Sequence, residues 1–246
     1  MEMSVTPGSF GRDKYKPLAI LTYPSMTLFG CMAAMSLFLA ILGFSYALFH
    51  RDLYSPEESG SMSVVFQLMA LFLYLEPFVR IAAIIAFLAW VFRAYKNLSA
   101  LKVRGLEFTP GWAVGLWLVP FVNLVKPFQI MREIWHGSDP ENEDNNKHTR
   151  AQKETPEILG FWWGVLLASV FTGYIANIMA GNETIKENTF YPAALVLSEL
   201  LRLGALVLII SILKEITRRQ ELRFQNLAGM SGRAAALPPP PPNFNG

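Results

Sequence analysis

Charge is what this chain lacks first. Only 16% of its 246 residues are Asp, Glu, Lys or Arg, while 52% are hydrophobic, and the mean hydropathy is +0.32. That balance excludes an ordinary soluble domain and points to a multi-pass membrane protein. The net charge is +2, too small for a nucleic-acid partner. Cysteine is equally scarce: Cys31 stands alone, so no intrachain disulfide forms, and with no histidine in its own helix it reads as a core residue. The three histidines, His50, His136 and His148, fall in segments that read as loops, so no pair of in-membrane histidines is on hand to ligate haem. No H-E-x-x-H, P-loop or G-x-S-x-G occurs. No metal or cofactor is expected, and the chain reads as non-enzymatic. A lipid-modifying enzyme with Glu76 or Glu199 as base has nothing further to support it.

What is present is long apolar runs. Residues 1–25 read as a polar tail bearing Arg12, Lys14 and Lys16, with an interfacial piece near 15–23. Residues 26–49 carry no charge and are long enough to cross a bilayer, which takes about 20 residues as a helix. The run is too long for a signal-peptide core, so it stays as an anchor. Residues 62–92, 158–180 and 190–213 are three further spans, the last extended as a helix through 223. Together 26–223 form a four-helix membrane domain. Between the second and third spans lie a basic connector at 93–109 and a hydrophilic loop at 137–156 with acids over 139–144. Residues 224–246 read as a disordered tail ending in prolines, a docking ligand being the less favoured reading.

Residues 110–135 need separate treatment. Only 110–125 are uncharged and predominantly apolar, which is too short to cross, and Pro120 and Pro127 each remove a backbone donor and break a helix. The expectation is a re-entrant or interfacial hairpin, covered by other helices so that its broken backbone is not bare to lipid. Its last part places Phe128, Met131, Ile134 and Trp135 at helical spacing, as in an interfacial amphipathic helix. If this segment does not cross, 17 of the 21 Lys and Arg fall on one side. Two, Arg51 and Lys186, fall on the other, and Arg80 and Arg202 lie within spans. The positive-inside rule then puts both termini in the cytoplasm.

Glu76 and Arg80 are spaced i,i+4, and Glu199 and Arg202 i,i+3, so each pair shares a helix face near mid-span. A charge there costs about 2.5–3.5 kcal/mol on insertion scales, so the four should pair and face inward. Two readings stand level: a polar centre that binds an ion, proton or polar head group, or a buried network that fixes helix packing. Each half of the chain carries such a pair in its second span, but the halves are too unlike to be treated as a repeat. Asn123, Lys126 and Gln129 follow the hairpin's turn. Asn123 could join the polar centre through the exposed backbone of the turn, or cap a helix break. Lys126 reads as snorkelling to the surface. Trp90, Trp112, Trp117, Trp135, Trp162 and Trp163 read as membrane-interface anchors.

W-V-F-R-A-Y-K-N-L at 90–98, P-G-W-A-V-G-L-W-L-V-P-F-V-N-L-V-K-P-F-Q-I-M-R-E-I-W at 110–135 and S-D-P at 138–140 resemble the bacterial multi-pass family named domain of unknown function 4328. Leu116 stands where that family often has an aromatic residue. The resemblance implies a bacterial inner-membrane protein with several spans, and no activity. The first functional expectation is therefore an interaction, sensor or regulatory subunit among membrane lipids, as a homo-oligomer or within a membrane complex. The second is a small transporter or channel whose path passes the four charges.

Overall fold

The structure is a computed structural model describing residues 14–49, 61–141, 154–181 and 190–236. The expected outer end of the N-terminal tail, the loops at 50–60 and 182–189, most of the hydrophilic loop (142–153) and the proline run lie outside the described residues. His50 and His148 lie there too.

Among the described residues every regular element is a helix: α1 (Ala19–Phe49), α2 (Ser61–Ala100), α3 (Pro110–Gly115), a 3-10 turn (Val122–Leu124), α4 (Lys126–Gly137), α5 (Glu157–Ala180) and α6 (Phe190–Ala236). α1, α2, α5 and α6 are long and apolar enough to cross a membrane, so this is an all-α membrane protein with four transmembrane helices. α6 is central, packed between α1 and α5, while α2 lies on the other flank of α1. The segment from α3 to α4 rests on α2 at one end and α5 at the other.

Element boundaries depart from the sequence reading in instructive ways. α1 starts at Ala19 rather than 26 and takes Pro24 into its second turn. The lost N–H is tolerable so near the start, where Leu18 O already accepts from the N–H groups of Leu21 and Thr22. α2 runs eight residues past 92, through part of the expected connector. It stops at a Schellman turn: Lys102 takes φ 58°, Lys102 N–H bonds Ser99 O, and Val103 N–H bonds Leu98 O at 3.0 Å. α6 continues to Ala236, so residues 224–236 are helical rather than part of a disordered tail.

The core concentrates at one end of the bundle. Trp90, Tyr95, Leu98 and Leu101 of α2 and its turn meet Ile130, Met131 and Ile134 of α4 and Ile212, Leu213 and Ile216 of α6, all fully buried. The amphipathic stripe of α4 thus packs on protein, which corrects the expectation of an interfacial helix lying in lipid. His136 belongs to the last turn of α4 and is buried, not in a loop. Cys31 is exposed on α1 rather than in the core.

Candidate polar centre and its supporting hairpin

Both charged pairs form, and they join each other. Arg80 donates Nε–H to Glu76 Oε1 at 2.8 Å and brings Nη2 onto the same oxygen. Arg202 Nη1 stands 3.2 Å from Glu199 Oε1 and 3.5 Å from Glu76 Oε1. The four residues therefore link α2 to α6 across a span, as their spacing and insertion cost required. The side chains of Glu199 and Glu76 are 7% and 16% exposed, against 25% for Arg202 and 44% for Arg80. Glu199 Oε2 is buried with no hydrogen-bond partner among the described residues. Asn123 is not with them. It sits in the 3-10 turn, where its N–H bonds Val119 O at 3.0 Å, and no contact joins it to the four charges among the described residues.

The hairpin is built from its punctuation. Thr109 caps α3, its hydroxyl accepting from Trp112 N–H at 3.3 Å, with Pro110 in the first turn. The chain reverses around Pro120 and Phe121, where Phe121 adopts φ 63° and is 85% exposed. Leu118, Leu124 and Val125 beside it are exposed too. Trp117 is the fastening. It packs edge-on against Phe87 of α2 at 4.9 Å and against Trp163 of α5 at 6.1 Å between ring centroids. The indole N–H of Trp163 bonds Leu124 O at 3.1 Å, supplying a donor to turn backbone that no helix satisfies. Lys126 does not snorkel freely: its ammonium bonds Gln129 Oε1 at 2.9 Å and lies over the Phe108 ring.

The tryptophans divide. Trp112 is exposed. Trp117 and Trp163 are half-buried and hold the hairpin. Trp90, Trp135 and Trp162 are buried and do not face lipid head groups, which corrects their assignment as anchors. Trp90 donates to Thr22 Oγ1 at 2.9 Å, and Trp135 stacks under the Arg219 guanidinium at 4.2 Å. Their large rings fill the junction where five segments meet.

A second polar cluster at that junction was not foreseen. Gln220, fully buried on α6, donates to Ala94 O at 3.0 Å and Ser138 Oγ at 3.1 Å, and accepts from Asn97 Nδ2 at 3.0 Å. Asn97 also donates to Lys16 O at 2.9 Å and accepts from Lys16 N–H at 3.3 Å. Buried Arg223 donates to Leu101 O at 3.3 Å and to Asp139 O. Nearby, Tyr95 and Glu133 tie down the connector: Tyr95 donates to Glu133 at 2.6 Å, and the two accept from the N–H groups of Phe108 and Glu107. The signal was available: Ile212, Ile216 and Gln220 continue one i,i+4 stripe, so Gln220 occupies a core position on a segment that reads as merely basic.

These bonds place the start of α1, the end of α2, the end of α4 and the extension of α6 at the same end of the bundle. Residues 110–135 therefore leave and return to one end. Tyr15 adds to this, donating to Glu221 at 3.0 Å and stacking on Phe224 at 4.3 Å.

No curated protein and no solved structure matches the chain. A family model described as domain of unknown function (DUF4328) matches residues 56–218 of the 246, covering α2 to the middle of α6 and so both charged pairs and the whole hairpin. The chain belongs to that family.

Proposed function

We propose that this protein is a non-enzymatic integral membrane protein of a bacterial inner membrane that works by interaction, as a sensor or regulatory subunit. In this reading it is a homo-oligomer or part of a larger membrane complex, with both termini cytoplasmic. The observation that carries it is the filled junction. A transport path running from the four charges to the junction end would meet the packed rings of Phe87, Trp117 and Trp163 and the Asn97–Gln220–Ser138 hydrogen bonds. Lys14, Lys16, Lys96, Lys102, Arg104, Lys214 and Arg218 lie on the segments that meet at that end, which favours the cytoplasm for it. The exposed apolar tip around Phe121 fits a hairpin re-entering one leaflet from that side. The second reading, transport of an ion or polar solute, is favoured by one feature: the unpartnered Glu199 Oε2 at mid-span.

Proteoliposomes containing only the purified chain separate the two. The interaction reading expects proton, potassium and small-anion flux no faster than in protein-free vesicles. Flux that Glu199→Gln abolishes would establish the transport reading instead.

A further inference from the structure

The polar centre has no net charge, yet it is not symmetric. Its two carboxylates point inward, at 7% and 16% exposure, and its two guanidiniums outward, at 25% and 44%. An arginine carries five N–H donors. Arg80 commits Nε and Nη2 to Glu76, and Arg202 divides Nη1 between Glu76 and Glu199, while the remaining guanidinium N–H groups have no partner among the described residues. Arg80 is flanked on α2 by Pro77, Ile81 and Ile84, all exposed, so in a bilayer the spare donors would face hydrocarbon rather than water. α2 and α5 have little direct packing among the described residues and are connected at the junction end by the hairpin. The flank of α2 that bears Arg80 is thus uncovered at mid-span.

An acceptor-rich group is what such a face lacks. A second copy offering the same face at the same depth would oppose guanidinium to guanidinium, which disfavours it. An acyl chain alone satisfies no donor. We propose that Arg80 and Arg202 form a binding site for an oxyanion, a phosphate or carboxylate, reaching the centre along the open flank of α2. Planar guanidiniums match both groups in two-pronged geometry. Glu76, which accepts from Arg80 and stands 3.5 Å from Arg202 Nη1, holds the two arginines at a fixed separation and acts as a positioning residue. The source of the oxyanion is either an amphiphile, whose tail would lie along Tyr74 and Phe78, or a free solute. The inference rests on the sensor reading of this centre and gives it a ligand class.

The test uses the full chain in a non-ionic detergent and reads its unfolding midpoint by tryptophan fluorescence. One arm adds inorganic phosphate, the other phosphatidylglycerol against phosphatidylcholine. A saturable rise of several degrees in either arm is expected. Phosphate acting alone identifies a free anion, and phosphatidylglycerol acting alone identifies a head group. Arg80→Gln should abolish the rise, and Arg80→Lys, which keeps the charge but loses the fork, should weaken apparent affinity at least about tenfold. The lysine variant serves as the reporter should the glutamine variant fail to fold. Lys214→Gln, an exposed base on α6 beyond the centre, should respond as the wild type does. No rise in either arm, or an undiminished rise in both Arg80 variants, overturns the proposal. So does a dimer that Arg80→Gln splits in the absence of any response to the probes. The flux assay stays independent, so failure here leaves the interaction role standing.

Discussion

Lys102 stands where a side chain is costly. At φ 58° its Cβ crowds the following carbonyl, a strain of about 1–2 kcal/mol that glycine does not carry. Glycine returns about 0.5–1 kcal/mol of that through unfolded-chain entropy. Lys102→Gly should therefore stabilise the protein by up to about 1 kcal/mol, and Lys102→Val should destabilise it, as read by unfolding in detergent. Gln220 works in the opposite sense. Gln220→Ala removes one partner each from Asn97 Nδ2, Ser138 Oγ and Ala94 O inside the junction, and a loss of about 1–3 kcal/mol is expected. Gln220→Glu, which cannot donate to Ala94 O, should not restore it. Tyr15 sets a pH response. Burial first, then the Glu221 carboxylate, pushes its phenol pKa upward. A folded-state pKa above the unfolded one means the associated stability is intact below about pH 10 and is lost as pH rises further. The advantage of the wild type over Tyr15→Phe should be flat from about pH 7 to 9 and begin to shrink above about pH 10, continuing to fall as the pH rises toward the raised folded-state pKa. A difference that grows toward low pH would contradict the assignment.

Among the elements, the hairpin is the most exposed to test because it is fastened mainly through Trp117. Trp117→Ala removes the contacts to Phe87 and Trp163 together and, since the ring is half-buried, should cost about 2–3 kcal/mol. It should also speed tryptic cleavage after Arg132, an exposed base on α4, well beyond any change at Arg218, which would mark local release of the hairpin rather than global loosening. The same element shows what the sequence could convey. That it forms no fifth helix of spanning length was legible, because proline position and apolar length are local facts. The seat of α4 was not, because an amphipathic stripe looks alike whether it meets lipid or protein. Trp90, Trp135 and Trp162 were misjudged for the same reason: an aromatic ring at a span's end suits an interface and a buried junction equally, and only the neighbouring helices decide. The start of α1 and the end of α2 shifted because a proline in an early turn and a lysine in the left-handed region are tolerated when other contacts favour them.

Across the whole molecule, four spans and the pairing of Glu76, Arg80, Glu199 and Arg202 were legible, since lipid leaves a charge few alternatives to a nearby counter-charge. The order of packing, with α6 central and α2 at the flank, was not, because hydropathy says which segments cross and nothing about their neighbours. Of the two readings of Asn123, the structure places it in the 3-10 turn at the helix break, which hydropathy could not decide. The account depends most on the hairpin returning to the end from which it leaves, so that both described chain ends share a side. The direct measurement is labelling by a membrane-impermeant maleimide in sealed inside-out and right-side-out vesicles. It needs single-cysteine variants at Ser4, Phe121 and Gly246 in a Cys31→Ser background. The account predicts that Ser4→Cys and Gly246→Cys are labelled only in inside-out vesicles and Phe121→Cys in neither. Labelling of the two ends from opposite faces, or of Phe121→Cys in right-side-out vesicles, would contradict it.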